Sequence, residues 1–490
     1  RRQRQMCIRD RPEKEKEMKK SLKKIGNANP VMTQRFGADP YAMVYEDRVY
    51  LYMTGDDFIY DETGEIKENN YSNIYTINVI SSSDLVNWTD HGSVYAASEK
   101  GAASWGTNSW APAAACREID GKMKFFLYFA NGGNGIAVLS SDSPTGPFTD
   151  PIQKPLVSRE TPGCASVTWL FDPAVLVDGE EAYLYFGGGV PSPEQAANPG
   201  TARVAKLGKD MISLDGEPKT IENVSYLFED SGINKINGKY IYSYCSNFSV
   251  PWEKKEELGF ECGEIVTMEA DEPMGPFKHG KGILKNPEAF FGVGGNNHHC
   301  MFEFHKQWYM AYHSRILERE MGVLKGYRST NIDRVTISED GTITPIQGTE
   351  KGVAQVGTLN PYERQMASTM AVMAGIRTAP YGENSVRYGS GDMIVTGIST
   401  GSWIGIYGAS FGSEGAQEIQ FEIRGKQQGK ILVYMDIPEG KAVAEIEAAA
   451  DSEEEFGTVA ARLAATVTGT HDIFFVFEGE GYELKSWKFC

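Results

Sequence analysis

Residues 172–186 read DPAVLVDGEEAYLYF: an Asp-Pro start, a short apolar run, a turn with glycine and an aromatic-rich run. Two such runs around a Gly-containing turn are typical of a β-hairpin. The pattern occurs five times, and its first residues lie 71, 62, 57 and 69 positions apart. The copies start at Asp39 (DPYAMVYEDRVYLYM), Trp110 (WAPAAACREIDGKMKFFLYF), Asp172, Glu229 (EDSGINKINGKYIYSY) and His298 (HHCMFEFHKQWYMAYH).

A repeat of about 40–70 residues made of strands and turns predicts the blades of a β-propeller. Equivalent positions in the blades surround one axis. We therefore expect Asp39, Asp172, Glu229 and His298 to gather at one end of a central channel. A propeller must also close between its first and last blades, so residues 29–35 are predicted to pair with the segment 326–346.

The chain has 490 residues, too many for one ordinary core, so two domains are expected. Residues 358–490 contain no sixth copy of the repeat, and their short strands and many glycines are typical of a β-sandwich. The predicted fold class is all-β: a five-bladed β-propeller at residues 29–352, then a jelly-roll-like β-sandwich at residues 358–490.

The N-terminus does not fit a folded domain. Its opening RRQRQMCIRDR resembles a translated sequencing adapter and lacks the apolar segment of a secretory signal. We expect residues 1–28 to be a disordered, non-native leader, with Met18 as the natural start. The seven cysteines include no CxxC pair, which predicts free buried thiols in a reducing compartment. The expected localisation is cytoplasmic, or secreted if the native N-terminus differs.

The charge balance excludes some partners. The formal net charge is −18, so the body of the protein repels nucleic acid and anionic membranes. No apolar stretch approaches the length of a transmembrane helix. A neutral partner such as a sugar polymer is favoured.

Three of the five first residues are carboxylic acids: Asp39, Asp172 and Glu229. Two carboxyl groups hydrolyse a glycosidic bond when one is protonated and the other is not, and a third nearby raises the pKa of the acid. An Asp-Pro pair before a strand also serves simply as a turn. Three carboxylates at corresponding points of three blades favour chemistry over turn formation.

The joint set of motifs resembles glycoside hydrolase family 43, and within it the arabinoxylan arabinofuranohydrolases. The resemblance covers residues 30–350 and lies in FGADP, WAP, LFDPAV, LFEDSGINKINGKYIYSY and GYRST. It implies that Asp39 is the general base, Asp172 tunes pKa and orients substrate, and Glu229 is the general acid. It also implies that Arg328 of GYRST reaches the −1 sugar.

The resemblance further implies that His298 lies on the axis and helps to hold calcium together with waters. Calcium prefers oxygen ligands, and a histidine beside another histidine is also common as a structural residue, so both interpretations remain open. Sugar rings stack on aromatic side chains. We expect Trp110, Trp169 and Phe248 to form sugar subsites, with packing in the propeller core as the alternative.

The C-terminal part resembles carbohydrate-binding module family 6. The matching segments are NPYERQMASTMA, GSWIGIYGASFG and TGTHDIFFVFEG. The family's Glu-x-Glu is replaced here by Met366-Ala367-Ser368, and the loop that offers a stacking tryptophan has only Phe456. These departures predict a module that supports the propeller without binding sugar.

The predicted function is an inverting, exo-acting glycosidase that removes α-L-arabinofuranosyl groups from arabinoxylan or its oligosaccharides, with no organic cofactor. Two rivals remain open. One is a β-xylosidase on the same scaffold, and the other is a non-catalytic sugar-binding propeller.

Overall fold

The computed structural model of the protein describes residues 17–382, 392–425, 429–448 and 452–490. Within these ranges the chain is built almost entirely from strands and turns. The helices are single short turns between strands. They are α1 (Lys255–Leu258), α2 (Glu288–Phe291), α3 (Ile316–Met321) and the 3-10 turns Pro193–Gln195 and Trp252–Lys254.

Five antiparallel sheets follow one another along residues 38–335, which confirms the predicted propeller. Blades I to IV each contribute four consecutive strands and blade V contributes three. Blade I holds β1 (Ala38–Tyr45), β2 (Arg48–Thr54), β3 (Thr76–Ser82) and β4 (Trp88–Tyr95); blade II holds β5 (Trp110–Ile119), β6 (Lys122–Ala130), β7 (Gly135–Ser141) and β8 (Val157–Ser158). Blade III holds β9 (Ala174–Asp178), β10 (Glu181–Phe186), β11 (Arg203–Lys206) and β12 (Lys219–Thr220). Blade IV holds β13 (Leu227–Ile236), β14 (Lys239–Ser246), β15 (Ile265–Ala270) and β16 (Lys278–Leu284); blade V holds β17 (His299–Phe304), β18 (Gln307–Ser314) and β19 (Ser329–Val335).

The sequence repeat is visible in this geometry. The turn between the first two strands of blade IV is Asn237-Gly238, and both residues have positive φ, 50° and 80°. That conformation gives the tight hairpin turn that Asn-Gly favours. In blades I to III the aromatic run that follows the turn supplies a buried tyrosine to the second strand, and its hydroxyl reaches the next blade. Tyr52 donates to the carbonyl of Pro144 (2.6 Å), Tyr128 to Met211 (2.7 Å) and Tyr185 to Pro273 (2.5 Å).

The first and last blades are joined as predicted. The amide of Val31 donates to the carbonyl of Thr330 (2.9 Å), and that of Gly37 donates to Arg328 (3.1 Å). The side chain of Asn29 accepts from the amide of Ile332 (2.8 Å) and donates to its carbonyl (3.0 Å). The segment before β1 therefore lies along β19 and closes the ring.

The C-terminal strands form a β-sandwich around a second apolar core. Its two longest strands, Trp403–Gly425 and Gly457–Glu478, pair with each other along most of their length, and irregularities interrupt the pairing in the middle. The strands are β20 (Gln365–Met366), β21 (Thr369–Met370), β22 (Val372–Ala374), β23 (Arg377–Pro380), β24 (Met393–Thr396), β25 (Trp403–Gly425), β26 (Gly429–Met435), β27 (Ala444–Ala448), β28 (Gly457–Glu478) and β29 (Tyr482–Phe489).

The two domains share a sheet edge. Strand β21 pairs with β4, so the sandwich supplies a fifth strand to blade I. Beside it, Asn87 and Tyr407 exchange two hydrogen bonds of 2.8 and 2.9 Å. Asp90 is buried between Arg35 of the propeller and Thr378 of the sandwich, whose hydroxyl donates at 2.7 Å. The edge of blade I, which would otherwise be open to other chains, is covered.

The expected disorder of residues 1–28 is wrong for residues 17–28, whereas residues 1–16 lie outside the described residues. The amide of Lys19 donates to Gly401 (2.8 Å), and Trp403 donates its ring N–H to the carbonyl of Lys19 (2.8 Å). Lys23 is buried and donates to the carbonyl of Pro30 (2.8 Å), and burial lowers its pKa to about 7. The adapter-like opening RRQRQMCIRDR led to the expectation for the whole segment, but residues 17–28 are ordered by contacts with the sandwich and the propeller that no local sequence pattern indicates.

The six cysteines in the described ranges are free thiols, as predicted. Cys164, Cys245 and Cys300 are buried, but Cys490 is exposed and the other two are half-buried, so burial was predicted correctly for only some of them. No helix in the described part of the chain has the length and apolar character needed to cross a membrane.

Candidate active site

A pocket of about 530 Å³ opens at one end of the propeller axis. It contains seven of the eight residues that the sequence marked: Asp39, Trp110, Trp169, Asp172, Glu229, His298 and Arg328. Phe248 does not line it. Its ring lies 5.5 Å from that of Phe228, which does line the pocket, so Phe248 stands one ring further out.

Four blades have a strained backbone position at or near the start of their first strand. Asp39, Ala111, Asp172 and Asp230 have φ of 47°, 40°, 50° and 69°, which is uncommon for residues other than glycine. In blades I, II and IV this residue lies where the regular pairing between the first and second strands is interrupted by a shift in register. Such bulges turn side chains out of the regular alternation and are frequent at active sites.

These positions correct one sequence expectation. Asp39 and Asp172 are structurally equivalent, but the equivalent of both in blade IV is Asp230. Glu229 lies one residue earlier, at the point where blade II has Trp110. In the sequence repeat the blade IV copy was started one residue too early, at Glu229. Glu229 and Asp230 are adjacent acids, and the sequence alone does not show which of them is equivalent to Asp39 and Asp172.

Asp39 is buried and held by three partners. Its Oδ1 accepts from Nη1 of Arg328 (2.9 Å), and its Oδ2 accepts from the hydroxyl of Thr54 (2.7 Å). Nδ1 of His313 lies 3.0 Å from Oδ1 and accepts from the Asp39 amide (3.1 Å). Burial alone would raise the pKa of Asp39, but the charge of Arg328 holds it well below its usual range. Asp39 is therefore a carboxylate across the neutral pH range.

Arg328 is itself fixed by a carboxylate that sequence reasoning missed. Nε and Nη2 of Arg328 donate to the two oxygens of Asp56 (3.1 Å each), and the Arg328 amide donates to Oδ2 (2.8 Å). Such a two-pronged pair fixes both position and orientation. Asp56 lies two residues after the end of β2. That end of β2 is at the pocket because the antiparallel β1 begins there, and this strand polarity was the available signal. The ring of Tyr71 lies 4.8 Å from the guanidinium.

The loop that carries Arg328 is anchored by a fully buried acid, Glu318 in α3. One of its oxygens, Oε2, accepts from three consecutive amides, those of Lys325, Gly326 and Tyr327 (2.9 Å each). Its other oxygen pairs with Arg315. The guanidinium of Arg328 is thus placed by the backbone on one side and by Asp56 on the other.

Glu229 and Asp172 lie in the opposite electrostatic environment from Asp39. Burial raises the pKa of Glu229 well above its usual range, and the charges of Asp172 and Asp39 raise it further. Burial and the charge of Asp39 likewise raise the pKa of Asp172, although the Asp230 amide donates to its Oδ2 (2.9 Å). Oε1 of Glu229 has no hydrogen-bond partner in the protein. The pair therefore retains a proton at pH values where Asp39 has none.

A further buried acid, Asp230, lies next to Asp172 and is flanked by two histidines, His298 and His299. Asp230 pairs with Nδ1 of His299, whose other ring nitrogen lies 2.7 Å from the hydroxyl of Ser243. Burial raises the pKa of Asp230 to about 8, although His298 opposes that shift. His298 places Nδ1 3.1 Å from Oδ1 of Asp230 and Nε2 3.7 Å from Asp172, and burial lowers its pKa.

Two aromatic groups flank the carboxylates. Trp110 donates its ring N–H to the carbonyl of Tyr71 (2.9 Å), which joins blade II to the long loop of blade I. On the other side the ring of Trp169 lies 5.2 Å from Phe171 and 5.4 Å from Phe228. Sequence reasoning missed Tyr71 because it lies in a loop outside the repeat, and Phe228 because it directly precedes the residue taken as the start of the blade IV copy.

The side chains around His298 decide how a calcium ion could be held there. Calcium takes six to eight oxygen ligands. No group of three or more His, Cys, Asp or Glu side chains in the described ranges is arranged to hold a metal ion directly. Nδ1 of His298 and Oδ1 of Asp230 are buried and face each other at 3.1 Å without hydrogen-bond geometry, and Nε2 of His298 is buried without a hydrogen bond to protein. These groups fit an ion that is held through its water shell, not one ligated by the protein alone.

A five-bladed propeller whose axial pocket holds three carboxylic acids, an arginine and paired aromatic rings defines a class of glycoside hydrolases. The family model of glycosyl hydrolases family 43 matches residues 27–343, and the chain belongs to that family. The model of the carbohydrate binding module (family 6) matches residues 366–490.

Two curated relatives are similar over nearly the whole chain. An arabinoxylan arabinofuranohydrolase of Paenibacillus polymyxa is 46% identical over 95% of this chain and 74% of its own length. One of Bacillus subtilis is 44% identical over 95% of this chain and 93% of its own. A crystal structure of a family 43 arabinoxylan arabinofuranohydrolase from Bacillus subtilis, in complex with cellotetraose, superposes with a TM-score of 0.90. It is 43% identical and covers 96% of this chain and 99% of that one.

Proposed function

We propose that the protein is an inverting, exo-acting glycoside hydrolase that removes α-L-arabinofuranosyl side groups from arabinoxylan or its oligosaccharides. One observation carries the proposal: a single pocket holds a carboxylic acid with a lowered pKa, Asp39, and one with a raised pKa, Glu229. Carboxyl groups whose environments push their pKa values apart are suited to act as base and acid. The names of the two relatives support arabinoxylan as the substrate.

In the proposed reaction Asp39 removes a proton from a water molecule on one face of the arabinofuranosyl ring. Glu229 gives its proton to the leaving oxygen on the other face, and the water oxygen bonds to the anomeric carbon as the glycosidic bond breaks. Arg328 keeps Asp39 ionised, and Asp172 keeps the proton on Glu229. Room for the water requires the carboxyl groups of Asp39 and Glu229 to lie about 6.5–9.5 Å apart.

Substrate contacts follow from the lining of the pocket. We propose that Arg328 bonds to the sugar at the −1 position, since it is fixed beside Asp39. Trp110 and Trp169 offer ring faces on either side of the carboxylates, and Phe248 extends the aromatic surface outward from Phe228. Rings of this kind supply large, rigid contact areas to sugars.

The direct test is a comparison of two aryl glycosides. We expect turnover of an aryl α-L-arabinofuranoside, with arabinose as the sugar released from arabinoxylan. Faster turnover of an aryl β-D-xyloside would favour a β-xylosidase on the same scaffold. Absence of turnover on both, in a protein that still binds arabinoxylan, would favour a non-catalytic sugar-binding propeller.

We also propose that a hydrated calcium ion lies against His298 and neutralises part of the negative charge of Asp230 and Asp172. Chelation should then lower the melting temperature of the protein, and calcium should restore it. The variant His298→Gln should lose that response. An unchanged melting temperature in the presence of a chelator would contradict the calcium site without touching the hydrolytic proposal.

A further inference from the structure

The pocket face of the propeller is rimmed by one loop from each blade. The first strand of each blade begins at the pocket, so the antiparallel second strand ends there, and the loop after it lies on the same face. Tyr71, Asn134 and Arg328 belong to three of these loops and line the pocket. The five loops are residues 55–75, 131–134, 187–202, 247–264 and 315–328.

The blade IV loop carries an unusually exposed tryptophan. Trp252 is 71% exposed, more than any other large hydrophobic side chain in the described ranges. The loop itself is anchored, because Val250 and Phe260 are buried and the thiol of Cys262 donates to the carbonyl of Val250 (3.4 Å). The exposure of Trp252 is thus a property of a fixed loop and not of a dangling segment.

The indole is held in one orientation. Nζ of Lys255 lies 3.4 Å from the centre of the Trp252 ring, close enough for a cation–π contact. The ammonium covers one face, and the high exposure shows that the other face is open to solvent. A flat apolar face that is already fixed loses little conformational freedom on binding.

Trp252 lies in the same loop as an aromatic residue that contacts the pocket wall. Phe248 lies four residues earlier in the same loop, is 54% exposed, and contacts Phe228 at the pocket wall. Four residues span at most about 14 Å, so Trp252 lies within a few sugar units of that wall. The charged residues that follow, Glu253 to Glu257, are three acids and two lysines, so the loop carries almost no net charge, which suits a neutral ligand.

We propose that Trp252 is a distal platform for the xylan backbone, on which an unbranched β-1,4-linked xylose unit stacks while the branched unit occupies the pocket. The proposal rests on the proposed function, because the occupant is the main chain of the same substrate. Trp252 takes no part in the chemistry at the anomeric carbon. Its contribution is therefore confined to substrates long enough to reach it.

The test compares Trp252→Ala with the unaltered full-length protein on a polymer and on a small substrate. We expect kcat/KM on arabinoxylan to fall roughly three- to tenfold, mainly through KM, as the loss of one aromatic contact predicts. On an aryl α-L-arabinofuranoside, which is too short to reach the loop, kcat/KM should stay the same. Trp252→Phe should retain most of the polymer activity.

Ile437→Ala is the matched control, since Ile437 is 60% exposed on the sandwich and should be silent on both substrates. Unchanged polymer kinetics in Trp252→Ala would overturn the proposal, and so would an equal loss on both substrates. Affinity electrophoresis in arabinoxylan, with Trp252→Ala added to an Asp39→Asn background, measures the contact without turnover. A failure of the hydrolytic proposal would show instead as no turnover by the unaltered protein.

Discussion

The propeller pocket and the outer edge of the sandwich both combine acids with aromatic rings, but only the pocket leaves these groups accessible to a ligand. In the pocket the acids are buried, the rings of Trp110 and Trp169 face a cavity, and Oε1 of Glu229 has no partner in the protein. At the sandwich edge the rings of Tyr381 and Phe456 contact each other at 5.2 Å. The charged groups beside these two rings pair with the protein or lie over the rings, whereas Oε1 of Glu229 in the pocket is left for a ligand.

At the sandwich edge, two cationic side chains cover the aromatic rings of Tyr381 and Phe456. Arg424 lies 4.8 Å from the Phe456 ring and 5.5 Å from the Tyr381 ring, and it is paired with Glu483 (2.7 Å). Lys485 lies over the same two rings at 5.1 and 5.8 Å. An aromatic pair that is covered in this way offers little free face for sugar. The family resemblance of a domain therefore does not by itself predict an open binding site.

The largest expected effect is on the chemistry of the pocket. Asp39→Asn removes the base and Glu229→Gln removes the acid, and each should lower kcat by about 10²–10⁴-fold. The readout is steady-state turnover of an aryl α-L-arabinofuranoside. Glu483→Gln, an acid of the sandwich edge, is the control and should keep full activity. Near-normal turnover in either pocket variant would remove the proposed mechanism.

The next effect concerns the shared sheet. Deleting residues 358–490 removes β21 from the edge of β4 and leaves Asn87 and Asp90 without their sandwich partners. We expect the remaining propeller to melt several degrees lower and to aggregate more readily through the open edge. Thermal unfolding of the two proteins measures this. Equal melting temperatures would mean that the domains are energetically independent.

A smaller effect tests the raised pKa of Glu229. A carboxyl group whose pKa is higher in the folded than in the unfolded state stabilises the fold below the unfolded value, and that contribution is lost as pH rises through the folded value. Glu229→Gln does not titrate. The variant should therefore gain stability relative to the unaltered protein as pH rises from 4 towards 8. A constant difference in melting temperature across that range would show that the pKa is not raised.

The smallest expected effect is at the sandwich edge. The isolated module, residues 358–490, should show no measurable affinity for xylo-oligosaccharides, because Tyr381 and Phe456 are occupied by each other and by cations. Isothermal titration measures this, with the full-length Asp39→Asn protein as the positive control. Clear micromolar binding by the module, lost in Phe456→Ala, would contradict the prediction and show that the sandwich edge is a sugar-binding site.

Much of the pocket could be predicted from the sequence because a propeller turns sequence repeats into neighbours. The spacing of the copies was enough to place Asp39, Asp172, Glu229 and His298 around one axis. The same reasoning erred by one residue in blade IV, since adjacent acids leave the period ambiguous. Asp56 and Glu318 were missed because they lie in loops that the repeat does not align, and His313 was missed because only the first residue of each copy was considered as a site residue. The ordered segment 17–28 depends on contacts with the sandwich, and no local pattern encodes those.

Proton NMR of the first sugar released tests the central claim most directly. If Asp39 activates water on one face while Glu229 protonates the leaving oxygen on the other, an α-L-arabinofuranoside must yield the β-anomer first, before mutarotation mixes the two. We predict that order of appearance. Initial release of the α-anomer would contradict single displacement and the roles given to Asp39 and Glu229.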